Sequence, residues 1–221
     1  MYNNKKCTKF FTSTVTAVLL GGFVSSASAS MINLSTGYSA SGPQVDAASY
    51  LSTVQTAVAA PSSGYGSTSL AAYDNVTNQS LFGSSGNIAF DTTVNFGVSA
   101  AQAGNFEFRF GVDFGWGGAV FLDGVAMAFN SNDMWWNGSY SNPSQYLDFT
   151  AILGTGNHML TVVGLEPCCD GAQQGQFKIG NTAFTTFSST DGLNAIPEPA
   201  TVALFAFGLL GLAVSRKGNQ F

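Results

Sequence analysis

Hydrophobic and polar positions alternate with period two from Asn87 onward, which is typical of half-buried strands. In the clearest stretch, polar Glu107 and Arg109 alternate with the apolar residues Phe106, Phe108, Phe110, Val112 and Phe114. Further strands are predicted at 118–126, 146–153, 158–165, 176–179 and 182–187, with glycine-containing turns at 123–124, 154–156 and 170–171. The pattern predicts a mainly β fold, a single antiparallel β-sandwich or jelly roll over residues 87–187.

The flanking regions of the body have a different pattern. Residues 30–86 are rich in Ser, Gly and Asn and predict a leader with one short helix and a Ser/Gly-rich loop. Asp46 is a suitable N-cap for that helix, and Pro61 ends it after about Ala59. Residues 188–195 are predicted to be a linker.

The N-terminus has the three parts of a secretory signal peptide. Lys5, Lys6 and Lys9 precede an apolar run over 10–24, and Ala27-Ser28-Ala29 forms an A-x-A cleavage site. The alternative is a transmembrane anchor or a core helix, but the run is short and interrupted by Thr, Ser and Gly. Residues 1–29 are therefore predicted to direct export through the Sec machinery, with cleavage after Ala29.

A second apolar run extends from Ala200 to Val214 and precedes Arg216 and Lys217. As a helix, this run would span ~22 Å at ~1.5 Å per residue, less than the ~30 Å hydrocarbon core of a bilayer. It would cross only if the lipid thinned or the basic side chains snorkelled to the surface. The segment is apolar on all sides, which argues against an amphipathic helix packed on the domain.

The triplet Pro197-Glu198-Pro199, the apolar helix over 200–214 and the basic pair Arg216 and Lys217 resemble the PEP-CTERM sorting signal, over residues 196–221. The resemblance implies recognition by exosortase in a Gram-negative bacterium and an intermediate tethered transiently in the inner membrane. It also implies processing near the triplet and delivery to the cell surface or extracellular matrix. Because proteins of this class accompany exopolysaccharide production, it further implies a role in exopolysaccharide or biofilm.

The charge of the body excludes some partners. Residues 30–195 contain Arg109 and Lys178 against eleven carboxylates, a difference of −9. A nucleic-acid footprint needs clustered Lys and Arg, and anionic lipid needs a basic face, so neither partner is expected for the body. The aromatic content of 13% argues against general disorder.

The mature chain would keep two cysteines, Cys168 and Cys169, which are adjacent. Neither can find a separate partner in the same chain, so a vicinal disulfide, a free dithiol and links to other chains remain as alternatives. An oxidising exterior disfavours the dithiol, and a vicinal disulfide is predicted. It would form either a rigid turn at the end of a strand or a flat sulfur surface against a ligand ring.

All three tryptophans lie between Gly115 and Asn137. Trp135 and Trp136 are adjacent, so in a strand they would point to opposite faces, and one of them would lie outside the core. An exposed indole with amides and carboxylates beside it suits a sugar ring and its hydroxyls. The candidate glycan contacts are Trp116, Trp135, Trp136, Tyr140, Asp133 and Asn137. The alternative is that one indole fills the core and the other lies flat on the surface.

Motifs for catalysis and metal binding are weak. His158 is the only histidine, and the sequence contains no nucleophile elbow, P-loop or metalloprotease motif. Zinc would lack ligands, and although acidic residues near loops permit calcium, their spacing matches no calcium loop. No catalytic residue, cofactor or metal site is predicted.

The body itself resembles a bacterial family of PEP-CTERM proteins named for a Cys-Cys-x-Gly motif, here Cys168-Cys169-Asp170-Gly171. Over 119–124 and 156–164 it is also loosely similar to the anthrax protective-antigen and yeast flocculin sandwich, which often binds glycans. Calcium-binding members of that group carry adjacent aspartates, whereas this chain has Asp113-Phe114-Gly115. The resemblance therefore implies the fold but not calcium-dependent lectin activity.

These observations predict an exported, exosortase-processed protein of the cell surface or matrix. It is expected to be non-enzymatic and to engage polysaccharide. The alternatives are a secreted enzyme that acts on polysaccharide and a purely structural matrix component.

Overall fold

The computed structural model describes residues 29–60 and 62–194. Ala29 of the predicted cleavage site is the first described residue, and Ala27 with the rest of the signal peptide lies outside the described ranges. The predicted apolar helix over 200–214 and the sorting residues also lie outside them: Pro197, Glu198, Pro199, Arg216 and Lys217.

The described ranges contain two α-helices, one 3-10 helix (Pro143–Gln145) and twelve strands. The α-helices are α1 (Ala47–Val58) and α2 (Asn78–Phe82). None of the helices in these ranges is both long and apolar enough to cross a membrane. The strands are β1 (Met31–Tyr38), β2 (Ser67–Leu70), β3 (Gly86–Val98), β4 (Gly104–Gly111), β5 (Asp113–Phe114), β6 (Gly118–Leu122), β7 (Val125–Asn130), β8 (Met134–Trp135), β9 (Tyr146–Leu153), β10 (Gly156–Cys168), β11 (Gln174–Ile179) and β12 (Thr185–Thr186).

The strands form two main antiparallel sheets and a short ribbon. The larger sheet has the order β2-β1-β3-β10-β6-β7, the smaller one has the order β12-β11-β4-β9, and β5 pairs with β8. The fold is therefore mainly β and antiparallel, as predicted. The strand predicted over 118–126 is divided by the Asp123-Gly124 turn, where both residues have positive φ, and β7 continues to Asn130.

The core between the sheets is rich in phenylalanine. Phe106, Phe108 and Phe110 of β4 point inward because they occupy alternate positions. Phe108 stacks on Phe149 of β9 with ring centroids 5.0 Å apart. Fully burying one such side chain contributes about 1.5–3 kcal/mol, so this inner face dominates the stability of the sandwich.

Helix α1 covers the outer face of the larger sheet. The carboxylate of Asp46 caps the helix by accepting a hydrogen bond from the Ser49 amide at 2.7 Å. Tyr50 and Val54 of the helix then pack against Ala89 and Val163 of β3 and β10. The larger sheet is thus buried on both faces where the helix lies.

The interpretation of residues 30–86 as a leader outside the sandwich is wrong. β1 lies between β2 and β3 in the larger sheet, and its eight residues from Met31 to Tyr38 all pair with β3. Ile32 and Leu34 of β1 are buried in the core. The alternation with polar Asn33 and Ser35 was present in the sequence, but it covers too few apolar positions to identify a strand.

The predicted linker is also too long. Phe187 and Leu193 are fully buried, and the Asp191 carboxylate accepts hydrogen bonds from the amides of Ser188 and Leu193. Residues 188–193 therefore belong to the folded body, and its last buried side chain lies only four positions before Pro197.

Asp91 is a half-buried carboxylate of β3. It shares a face of the larger sheet with Ala89 and Val163, under α1. One of its oxygens, Oδ1, has no hydrogen-bond partner among the described residues. Burial raises the pKa of Asp91 to about 6. The folded chain holds this proton more tightly than the unfolded chain does. Protonation of Asp91 therefore contributes fully to the free energy of unfolding below about pH 4. This contribution to stability is lost as the pH rises through about 6.

Asp91→Asn is expected to raise the free energy of unfolding above pH 7 by up to about 3 kcal/mol. It should also remove the part of the pH dependence that lies between about pH 4 and 6, because the amide does not ionise. Urea titrations of residues 30–194 at several pH values measure both effects. The control is Asp148→Asn, which changes an exposed strand carboxylate. Equal pH profiles for wild type and Asp91→Asn would contradict the assignment.

Candidate functional site

The longest strand pair, β3 with β10, defines two ends of the sandwich. Gly86 pairs with Cys168 at one end, called the distal end here, and Val98 pairs with Gly156 at the other, called the proximal end. The β5–β8 ribbon and the turn after Cys168 lie at the distal end. Most of the candidate glycan contacts belong to segments that meet there.

The β5–β8 ribbon carries Trp135 to the distal surface. Asp113 pairs with Trp135, and Phe114 pairs with Met134. Phe114 and Met134 are fully buried, whereas Trp135 is 64% exposed. Because neighbouring side chains in a strand point to opposite faces, the burial of Met134 directs Trp135 outward.

Phe114 anchors this ribbon to the sandwich. Its ring stacks on Phe90 with centroids 5.6 Å apart. It also occupies the space in which a Cβ atom on Gly118 or Gly164 would lie. The two glycines therefore admit the ring, and the ring fixes the position of Asp113 and Gly115 on either side.

Trp136 is not a surface contact. It is only 6% exposed, and its ring lies so close to Gly111 that any Cβ atom there would overlap it. Its Nε1 has no hydrogen-bond partner among the described residues. The prediction of Trp136 as a glycan contact is therefore wrong, because period two turns it inward beside the exposed Trp135.

Tyr140 is half-buried, and its hydroxyl already makes hydrogen bonds within the protein. Its hydroxyl donates to the Gln174 carbonyl at 3.2 Å and accepts from the Gly111 amide at 3.3 Å. Burial raises the pKa of Tyr140 to about 12. The Arg109 guanidinium lies 3.8 Å from the centre of its ring and 3.6 Å from that of Phe184. One face of the ring is thus covered by a cation–π contact. Tyr140 therefore stabilises the distal segments and does not offer a free face to a sugar.

The other candidates differ in exposure. Trp116 is half-buried and packs against the cluster beneath α1, and its carbonyl accepts a hydrogen bond from Tyr50 at 2.6 Å. Asp133 and Asn137 are exposed on either side of Trp135. The exposed set at the distal end therefore consists of Trp135, Asp133 and Asn137, with Trp116 partly accessible.

The turn after β10 is held by carboxylates that bind backbone amides. Glu166 accepts from the Gly115 amide at 2.6 Å and from the Cys168 amide at 2.8 Å. Asp113 accepts from the Gly171 amide. The segment that carries Trp135 and the Cys-Cys turn are thereby joined into one surface.

Asp170 ties the same turn to α2. Its two oxygens accept from the amides of Asn78 and Gln79. Asp170 and the preceding Cys169 both have positive φ, 42° and 82°, a region that few non-glycine residues adopt. The turn is therefore strained and fixed by hydrogen bonds, not by its intrinsic preference.

Three buried carboxylates, Glu166, Asp113 and Asp170, lie at the distal end. Burial, together with the nearby charges of Asp113 and Asp133, raises the pKa of Glu166 to about 7. Burial also raises the pKa values of Asp113 and Asp170. These anchoring carboxylates were not recognised in the sequence, although Glu166 directly follows the apolar run 159–165, where a charge is unusual.

The described residues contain no group of three or more His, Cys, Asp or Glu side chains arranged to hold a metal ion. His158 lies at the proximal end, where its Nδ1 is 2.8 Å from Asp123 Oδ2. It is therefore remote from the distal carboxylates and cannot act on them as a base.

Cys168 and Cys169 are both exposed at the distal surface. Their Cα atoms are 3.8 Å apart and their sulfur atoms lie next to each other, which is compatible with the predicted vicinal disulfide. The Cys169 amide donates to the Ser85 carbonyl at 2.7 Å. The pair therefore lies beside Ser85 and Gly86 at the distal end.

Comparison with known proteins identifies the tail. Residues 195–217 match the family model of the PEP-CTERM protein-sorting motif. The chain therefore carries the sorting signal of proteins that exosortase processes at the membrane, which implies export and a surface location. No curated protein matches the chain.

Several solved structures are similar to the body. The PA14 sugar-binding domain from an RTX adhesin has a TM-score of 0.48 and 13% identity, with 76% of this chain and 98% of that chain covered. The PA14 domain of the MpAFP antifreeze protein has a TM-score of 0.48 and 10% identity, with coverage of 74% and 89%. The Epithelial Adhesin 6 A domain from Candida glabrata, in complex with Galb1-3GlcNAc, has a TM-score of 0.42 and 11% identity, with coverage of 77% and 88%.

A vicinal disulfide predicts no free thiol in residues 30–194 exported to an oxidising compartment. The mass under non-reducing conditions should be two hydrogens below that of the dithiol. The variant Cys169→Ser should show one free thiol, which calibrates the assay. Two free thiols in the wild type, or a dimer that reductant separates, would reject the bridge.

Proposed function

We propose that this protein is a non-enzymatic, exosortase-processed protein of the cell surface or extracellular matrix that binds glycans at its distal end. The observation that carries the glycan proposal is the 64% exposure of Trp135. The buried Met134 and Trp136 on either side fix its position in advance, so little conformational entropy would be lost when a sugar ring stacks on it.

The surroundings of Trp135 support a sugar as the ligand. Asp133 and Asn137 offer carboxylate and amide groups that can bind hydroxyls, and the Cys168–Cys169 turn extends the surface beyond Asp113. The carboxylates would repel uronic acids, since like charges raise each other's energy at short range. We therefore propose neutral or amine-bearing sugars as the ligand class.

The rival function, a polysaccharide-active enzyme, has one feature in its favour. Glu166 has a pKa raised to about 7, as a general acid in glycoside hydrolysis requires. However, both of its oxygens accept backbone hydrogen bonds and the side chain is buried. The residue is better explained as an anchor of the distal turn.

The sorting function predicts that the variant with Pro197, Glu198 and Pro199 replaced by alanine stays in the membrane fraction with its tail intact. Wild-type protein should be released with a shorter C-terminus. Cell fractionation with mass analysis of the C-terminal peptide measures both. The control is Asn219→Ala, which lies after the matched residues. Normal release of the triple-alanine variant would refute the sorting assignment.

The glycan proposal predicts that Trp135→Ala weakens binding of residues 30–194 to an oligosaccharide at least about tenfold, ~1.4 kcal/mol. The test uses an array of neutral, amino and uronic-acid oligosaccharides, followed by titration of the best neutral or amino ligand. The control is Ile152→Ala, which removes an exposed side chain at the proximal end.

Three outcomes would contradict this function. Binding that Trp135→Ala leaves unchanged would exclude the proposed surface. Absence of binding to every sugar would favour a purely structural component. Release of shorter sugars, abolished by Glu166→Gln, would favour the enzyme.

A further inference from the structure

Both limits of the folded body lie at the proximal end. Met31 pairs with Asn95 near the end of β3, and the preceding Ser30 donates from Oγ to the Leu193 carbonyl at 3.5 Å. The Gly192 carbonyl accepts from Gln102 Nε2 at 3.0 Å, in the turn between β3 and β4. The chain therefore enters and leaves the sandwich at almost the same place.

The distal end is far from this point. β10 has 13 residues, and a strand of that length extends about 40 Å at ~3.3 Å per residue. The connection to the apolar segment of the sorting tail is shorter. From Asn194 to Ala200 the chain can extend at most about 22 Å at ~3.6 Å per residue. A body anchored through its tail is thus held to the bilayer by its proximal end.

The surface at the proximal end suits contact with lipid. Four large apolar side chains are exposed there, although they lie on different strands and turns: Met31, Val125, Ile152 and Met159. The carboxylates at this end are engaged, since Asp123 faces His158 and Asp191 binds two amides. The two cations of the described body, Arg109 and Lys178, lie instead on the outer face of the smaller sheet.

We propose that, while the tail anchors the protein, the body stands on the membrane with its proximal end against the lipid and its distal end pointing away. The partner of the proximal surface is the lipid bilayer itself, contacted by its exposed methionines and aliphatic side chains. The Trp135 surface then points away from the membrane before processing. This inference rests on the sorting function of the tail but not on glycan binding.

The distribution of tryptophan allows a direct test. All three tryptophans of the chain, Trp116, Trp135 and Trp136, lie at or near the distal end, so wild-type fluorescence reports on that end alone. The unprocessed chain, residues 30–221, is inserted into phosphatidylcholine vesicles with brominated acyl chains, which quench only nearby indoles. Flotation of the vesicles first shows that the chain is bound.

Wild-type fluorescence should be the same in brominated and ordinary vesicles. Met159→Trp adds an indole at the proximal end and should show a loss of fluorescence in brominated vesicles. The matched control is Leu81→Trp at the distal end, since Leu81 and Met159 are 41% and 40% exposed; it should show no loss.

Three results would overturn the proposal. Strong quenching of the wild type would place the distal end in the lipid. Equal quenching of Met159→Trp and Leu81→Trp would mean that the body has no fixed orientation. Failure of the chain to float with the vesicles would remove the anchor itself. Glycan binding by soluble residues 30–194 is measured separately, so its failure cannot be confused with any of these results.

Discussion

The antiparallel pairing of β3 with β10 is the constraint on which the rest of the structure depends. Twelve residue pairs in one unshifted register, from Gly86–Cys168 to Val98–Gly156, set the length of the sandwich and its two ends. A shift of one residue would turn Phe90, Val94 and Leu160 away from the core. The same register places the Cys-Cys turn at one end and the chain limits at the other, so strand pairing separates the proposed recognition surface from the proposed anchor.

The distal surface depends on a second interaction, between buried carboxylates and backbone amides. Glu166, Asp113 and Asp170 each accept hydrogen bonds from amides in other segments. Burying a carboxylate is costly, as the raised pKa of each group reflects. The amides offset part of that cost, and the result is a rigid frame around a strained turn. The carboxylates therefore shape the surface, while the exposed indole of Trp135 supplies its main apolar contact area.

The sequence predicts the local features better than the long-range ones. Strand β9 occupies the predicted residues 146–153, and α1 lies within its predicted span, because both depend on periodicity and capping. β1 was missed because its place in the sheet depends on pairing with β3, fifty or more residues away. For the adjacent tryptophans, period two indicated that one would be buried. Gly111, distant in sequence, decided which one, by leaving room for Trp136.

The most direct measurement of the central claim, that recognition is confined to the distal end, is an NMR titration of 15N-labelled residues 30–194 with a bound oligosaccharide. The indole Nε1 signal of Trp135 should move most, with backbone shifts confined to residues 113–117, 130–140 and 166–171. The Trp136 indole and the amides near Ser30, Gly156 and Leu193 should remain in place. Shifts centred on the proximal end, or spread along α1, would contradict the account.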